Sequence, residues 1–309
     1  MVAAIDIGGT KIAGALVGAE DGVPLRRIQR PTPAREPGEQ VFAAVAEVLA
    51  QLRGAPEWAR VERVGLGSAG PVAAVRGLVS PVNIAGWRDF PLVARVSELA
   101  PGLPVVLTGD GVAMTAAEYW QGAARGHGNA LCLVVSTGVG GGLVLGGELY
   151  PGPSGNAGHL GHISVDFDGE PCPCGGRGCL EGIASGTAIA RWARESGWRP
   201  GAGAGAGTAA DVAASARAGD PVALAAFDRA ARALAAGIAA TATLVELEVA
   251  VIGGGVAQSG ELLFGPLRTW LRQYATLSFV RDLEIRPAQL GTDAGLVGAA
   301  AAALWSQHP

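Results

Sequence analysis

A chain of 309 residues with 49% hydrophobic content can bury more apolar surface than one core usually organises, so two lobes are expected. With 23 basic against 27 acidic residues, and a net charge of -4, it has no basic stripe for wrapping nucleic acid, and an anionic ligand must be held by local backbone geometry. The N-terminus opens into a strand pattern without a basic leader, and no apolar run of about 18 residues could span a bilayer, so a cytoplasmic protein with no nucleic-acid or membrane partner is expected.

In chain order, the first third reads as strands at 2–7, 12–18 and 23–30, a helix at 39–53 and a strand at 62–67. The helix carries Val41, Val45, Val48, Leu49 and Leu52 at helical spacing, whereas Val2 to Ile7 is a short buried run. A strand at 104–108 and a helix at about 112–123 follow. After Asn129 the pattern restarts with a strand at 130–136, a glycine turn and a strand at 142–147, then loops and helices, including an Ala-rich helix from Asp220 to Leu247. Strands at 249–252 and 283–286 each lead into a helix. Residues 201–207 are Gly-Ala repeats and read as a loop.

Asp6-Ile7-Gly8-Gly9-Thr10-Lys11 and Ser136-Thr137-Gly138-Val139-Gly140-Gly141 each join two apolar strands, which looks like an internal duplication. Such turns let backbone N–H groups converge on phosphate without Cβ interference, though glycine hairpins are also commonly plain turns. Asp6 is placed to position a hydrated Mg²⁺ and Thr10 to donate a hydroxyl hydrogen bond to phosphate. Lys11, the one lysine in the chain, either neutralises phosphate charge or braces the hairpin. Ile252-Gly253-Gly254-Gly255-Val256 follows a buried strand and opens a helix, a pattern suited to a nucleotide contact.

Of four cysteines, Cys172, Cys174 and Cys179 crowd into one loop; with His162 they have the compact spacing of a closed, tetrahedral structural zinc site. The bland alternative is reduced cysteines beside an unrelated histidine, and Cys132 reads as a core residue of its strand. Asp110 follows the apolar run Val105 to Leu107 and precedes a helix. It suits either a general base at a strand's C-terminal edge or a helix N-cap.

Taken together and in order, AIDIGGTKIAGALV, GDGVAMTAAEYW, VSTGVGGG, GNAGHLGH followed by CPCGGRGCLEGIASG, VIGGGVA and AQLGTDAGLVGAA make this sequence resemble the ROK family of sugar kinases over nearly its whole length. The resemblance implies an α/β, actin-like ATPase (hexokinase superfamily) fold with two ribonuclease-H-like lobes and a cleft between them. The expected lobes are residues 1–110, completed by a C-terminal helix at 292–309, and residues 111–291. It implies ATP with Mg²⁺ as phosphoryl donor, a hexose or N-acylhexosamine phosphorylated at its 6-hydroxyl, a structural Zn²⁺ and a homodimer or higher homo-oligomer. By the same resemblance Asp110 is the general base, and Gly8, Gly9, Thr10, Thr137, Gly138 and Gly254 lie along the nucleotide. His162, Cys172, Cys174 and Cys179 bind the metal, and Asn83, Gly109, His159, His162 and Glu181 line the sugar, His162 through its second ring nitrogen.

Two positions depart from the family pattern. Gly109 stands where an asparagine is usual, and His159 where a carboxylate is usual; the latter is similar to bacterial N-acetylmannosamine kinases, whereas the AQLGTDAGLVGAA stretch is similar to actinobacterial glucokinases. Two rivals are a sugar-sensing ROK regulator, which would carry a winged helix before the glycine motif, and a sugar-binding protein that has lost catalysis. Asp6 leaves no expected room for the former, and Asp6, Asp110 and both glycine turns argue against the latter.

Overall fold

The computed structural model describes residues 1–200 and 207–306, so all of the Gly-Ala loop but Gly207, and the last three residues of the expected C-terminal helix, lie outside the described residues. The chain divides into two compact units, Met1–Arg125 with Leu149–Gly158 and Leu290–Pro309, and Gly126–Glu148 with His159–Gln289. In the first, β1 (Val2–Ile7), β2 (Lys11–Val17) and β3 (Pro24–Pro31) form an antiparallel meander. Then follow α1 (Gly38–Arg53), β4 (Arg63–Ser68), the small hairpin β5 (Val72–Ala73) and β6 (Leu78–Val79), α2 (Leu92–Leu99), β7 (Val105–Gly109) and α3 (Asp110–Gln121). The sheet runs β3-β2-β1-β4-β7, with β4 and β7 parallel to β1.

The second unit repeats the plan. It begins with β8 (Ala130–Val135) and β9 (Val139–Leu145); β10 (Glu148–Tyr150) edges their sheet as the chain passes into the Leu149–Gly158 segment of the first unit, and α4 (Glu181–Ala184), α5 (Gly186–Glu195), α6 (Ala209–Arg217) and α7 (Pro221–Val245) follow. It ends with β11 (Val249–Gly253), α8 (Glu261–Tyr274) and β12 (Glu284–Pro287), and the order β10-β9-β8-β11-β12 matches that of the first sheet. The expected duplication is therefore present, and both sheets have the ribonuclease-H-like order. The chain then returns to the first unit as α9 (Ala294–Trp305).

Helix α1 shows how the sequence writes an element. Pro37 and Gly54 bound it, Glu39 sits in its first turn and Arg53 in its last, each matching the helix dipole. Val41, Phe42, Val45, Val48, Leu49 and Leu52 form one buried face over the first sheet, each side chain contributing a gross ~1.5–3 kcal/mol. Helix α7 is bounded by Asp220, whose carboxylate accepts the Ala223 N–H at 2.8 Å, and by Glu246 in left-handed conformation. Its buried face is mostly alanine, which lets neighbouring helices pack closely.

On the other face of the first sheet, α9 approaches the backbone itself. A Cβ on Gly65 would stand 2.1 Å from the Ala299 carbonyl, and one on Gly298 would collide with the Ala113 carbonyl of α3. These glycines are the condition for the contact rather than sites of flexibility. Among the described residues no helix is long and apolar enough to cross a membrane.

Candidate active site

In the first unit the β1–β2 turn is closed by Gly8 N–H donating to the Lys11 carbonyl at 2.9 Å. Thr32 Oγ1 donates to the Gly8 carbonyl at 2.7 Å, and the Thr32 N–H to the Thr10 carbonyl at 3.1 Å. The turn is thus backed by the residue that follows β3, and Thr10 is exposed. Asp6 pairs in register with Gly67 of β4, and its carboxylate lies beneath Gly67 and Gly295, the latter in the first turn of α9. A Cβ on Gly295 would lie within 2.4 Å of Asp6 Oδ2. Burial pushes the Asp6 carboxyl up to about 6; the charge of Asp110 adds to the rise and that of Lys11 opposes it.

Asp110 is exposed at the C-terminal end of parallel strand β7. The N-cap reading is not realised: Gly109 is the cap, and Asp110 is the first helical residue, its Oδ1 accepting the Gly111 N–H at 2.8 Å. Gly109 has φ -72° and ψ 153°, and a Cβ there would meet only Val72 at 3.7 Å and the Gly155 carbonyl at 4.0 Å. Neither backbone nor packing demands glycine at this position. Asn83 is exposed in its loop, with its amide directly over Gly9.

In the second unit the turn is shorter than expected. Strand β9 starts at Val139, so Gly140, Gly141 and Gly142 pair with Val134, Leu133 and Cys132 as part of the ladder; glycines that resemble a turn can equally be extended. The turn proper is closed by Ser136 N–H donating to the Gly138 carbonyl at 2.8 Å. The start of α5 holds it from behind: Gly186 N–H donates to the Ser136 carbonyl at 2.7 Å, and Thr187 Oγ1 to that of Thr137 at 2.8 Å. Sequence reasoning passed over Thr187, although Ser185, two residues before it, carries the N-cap signal of α5.

Glu181 Oε2 accepts the Val139 N–H at 2.9 Å. Gly254 is left-handed, φ 90°, and a Cβ there would collide with the Val135 carbonyl, so glycine is required. The expected helix after it is only a three-residue 3₁₀ turn, Ala257–Ser259, and α8 starts at Glu261.

His162, Cys172, Cys174 and Cys179 converge, with all four ligand atoms within 4.8 Å of one another. Cys172 Sγ is 3.8 Å from His162 Nδ1, and Cys174 Sγ is 3.7 Å from Cys179 Sγ. A tetrahedron with metal–sulfur bonds of about 2.3 Å has sulfur–sulfur edges of about 3.8 Å, so these two edges are close to those of a tetrahedral zinc site. Burial pushes the Cys179 thiol up to about 12, with the neighbouring thiols adding to the rise, while the Gly176 N–H lowers Cys174. Nδ1 of His162 faces the thiols, leaving Nε2 as its other polar atom, and the His159 ring stacks at 6.3 Å between centroids.

A model of the ROK family matches residues 2–307. The chain is 38% identical to a glucokinase of Thermotoga maritima over 306 residues, 96% of this chain and 95% of that protein. It is equally 38% identical to an N-acetylmannosamine kinase of Yersinia pseudotuberculosis, over 98% of this chain and 97% of that one. Among solved structures it resembles a ROK family glucokinase from Streptomyces griseus in complex with glucose and AMPPNP, with a TM-score of 0.81, 37% identity and 98% coverage of each chain.

Proposed function

Because this chain belongs to the ROK family and has its actin-like ATPase fold, we propose that it is an ATP-dependent sugar kinase acting on the 6-hydroxyl of a hexose or N-acylhexosamine. The observation that carries the reading is Asp110, an exposed carboxylate at the C-terminal end of β7 whose charge reaches Asp6 beside the glycine turn. Asp110 accepts the proton of the sugar hydroxyl as that oxygen attacks the γ-phosphorus; the bond from phosphorus to the β–γ bridging oxygen breaks, and ADP leaves. Positioning and electrostatics supply most of the rate.

The remaining roles are assigned unit by unit. In the first, Gly8, Gly9, Thr10 and Lys11 hold phosphate, Asp6 orients the hydrated metal, and Asn83 and Gly109 border the sugar. In the second, Thr137, Gly138 and Gly254 follow the nucleotide, while Glu181, His159 and His162 Nε2 orient sugar hydroxyls. Asp6 would hold the hydrated Mg²⁺, which when bound would supply positive charge that offsets that of the phosphates. A structural zinc on His162 Nδ1 and the three thiols would fix the ring whose other nitrogen faces substrate. Cytoplasmic location and a homodimer complete the proposal, supported by the family resemblance.

An ADP-release assay against glucose, mannose, N-acetylglucosamine and N-acetylmannosamine tests it, with turnover of at least one expected. Asp110→Asn should reduce kcat by at least about 10³-fold while sugar affinity measured by calorimetry stays within about threefold. Retained turnover would remove Asp110 from the role of base.

A further inference from the structure

In each unit one glycine of the strand-joining turn lies under a side chain that the reading above assigns to sugar. A Cβ on Gly138 would stand 2.6 Å from Glu181 Oε2, and a Cβ on Gly9 would stand 2.4 Å from Asn83 Nδ2 and 2.7 Å from its Cγ. Both separations are too short for nonbonded carbon contacts. Neither glycine has positive φ, so backbone conformation does not explain them. Glu181 is also tied to the turn, since its Oε2 accepts the Val139 N–H at 2.9 Å.

We propose that Gly9 and Gly138 are positioning residues for the sugar: each leaves the Cβ space of a phosphate turn vacant so that Asn83 or Glu181 rests on that turn. The inference depends on the assignment of those two side chains as sugar contacts. It also gives each turn two faces, with backbone N–H groups for phosphate and a bare Cα for a sugar-orienting side chain. Any shift of either turn on nucleotide binding is then transmitted to that side chain within the same unit, and linkage requires the effect to run in both directions.

The clashing atoms at Gly138 belong to the free end of a glutamate, which can swing aside more cheaply than backbone can move. Gly138→Ala should therefore fold and displace Glu181. The test is calorimetric affinity, without nucleotide, for whichever of the four sugars the wild type phosphorylates, alongside both KM values. Gly138→Ala is expected to weaken nucleotide-free sugar affinity and raise sugar KM by about 10-fold or more, the scale of one lost charged hydrogen bond, with KM for ATP moving less.

In a Glu181→Ala background the same alanine should cost sugar affinity less than about twofold, because nothing remains to displace. Gly9→Ala is expected to behave likewise, with its effect removed by Asn83→Gly, since the Asn83 Cβ would itself stand 3.1 Å from the new methyl. Unchanged nucleotide-free sugar affinity in Gly138→Ala, a defect confined to ATP, additive losses in the double variant, or failure of Gly138→Ala to fold would each overturn the inference. Absence of turnover by the wild type on every sugar would instead remove the kinase reading on which it stands.

Discussion

Asp6 carries a carboxylate in a place that disfavours its charge. Its folded pKa, about 6, lies above the ordinary 3.8, so the folded state binds the proton more tightly than the unfolded chain does. The resulting penalty is absent below about pH 4 and complete above about pH 6, so its contribution lowers stability as pH rises through that window. Asp6→Asn should remove this pH dependence in urea titrations at pH 4 and pH 7. It should stabilise the neutral-pH protein by at most about 3 kcal/mol, less to the extent that residual solvent contact screens the charge, while eliminating kinase activity. Such a gain at the expense of activity is the mark of a carboxylate kept for function. Gly109 poses the opposite case, since its Cβ space is open. Gly109→Asn is expected to fold with unchanged Tm and to alter relative kcat/KM among the four sugars by about 10-fold, read from competition assays.

The zinc-type loop is an element with almost no apolar content of its own between Asp166 and Gly178, and its geometry rests on short backbone bonds such as Cys172 N–H to the Gly176 carbonyl at 2.8 Å. Metal ligation would supply what the core does not. Cys174→Ser should lower zinc content, measured by plasma emission spectrometry, to under about half an equivalent and raise sugar KM more than ATP KM, since His162 belongs to the same cluster. A full equivalent of zinc in that variant would show the cysteine is not a ligand. The hairpin elements teach a related lesson: Gly140–Gly142 belong to a strand because β8 offers them partners in register, information that local glycine content does not carry.

At the scale of the molecule, the first unit is discontinuous in sequence. Helix α9 covers a face formed by Val2, Ala4, Ala13, Ala15 and Val17, with Leu296, Ala299, Ala300 and Ala303 against them. Glu118 in α3, fully buried, accepts the Leu290 N–H at 2.9 Å and so anchors the returning segment. A chain truncated before Leu290 should lose hydrogen-exchange protection in β1, β2 and β4 while β8 and β11 remain protected. Equal loss in both sheets would mean the units fold as one. The second unit has its own large cluster, from Leu131 and Leu133 through Phe227, Leu234 and Ile238 to Leu263 and Leu267.

The sequence by itself determined the paired sheets, the family and the clustering of His162 with three cysteines, because apolar runs, turn residues and crowded thiols act over a few residues and need no partner to be recognised. Only the tertiary structure decided that Asp110 begins its helix rather than capping it, that three glycines extend into a strand, and that Gly295, Gly9 and Gly138 yield space to Asp6, Asn83 and Glu181. The glycine contacts are separations between residues far apart in the chain, fixed when α9 lies on β1 and β4 and when α4 meets the turn before β9. No periodicity or local preference encodes a distance of that kind.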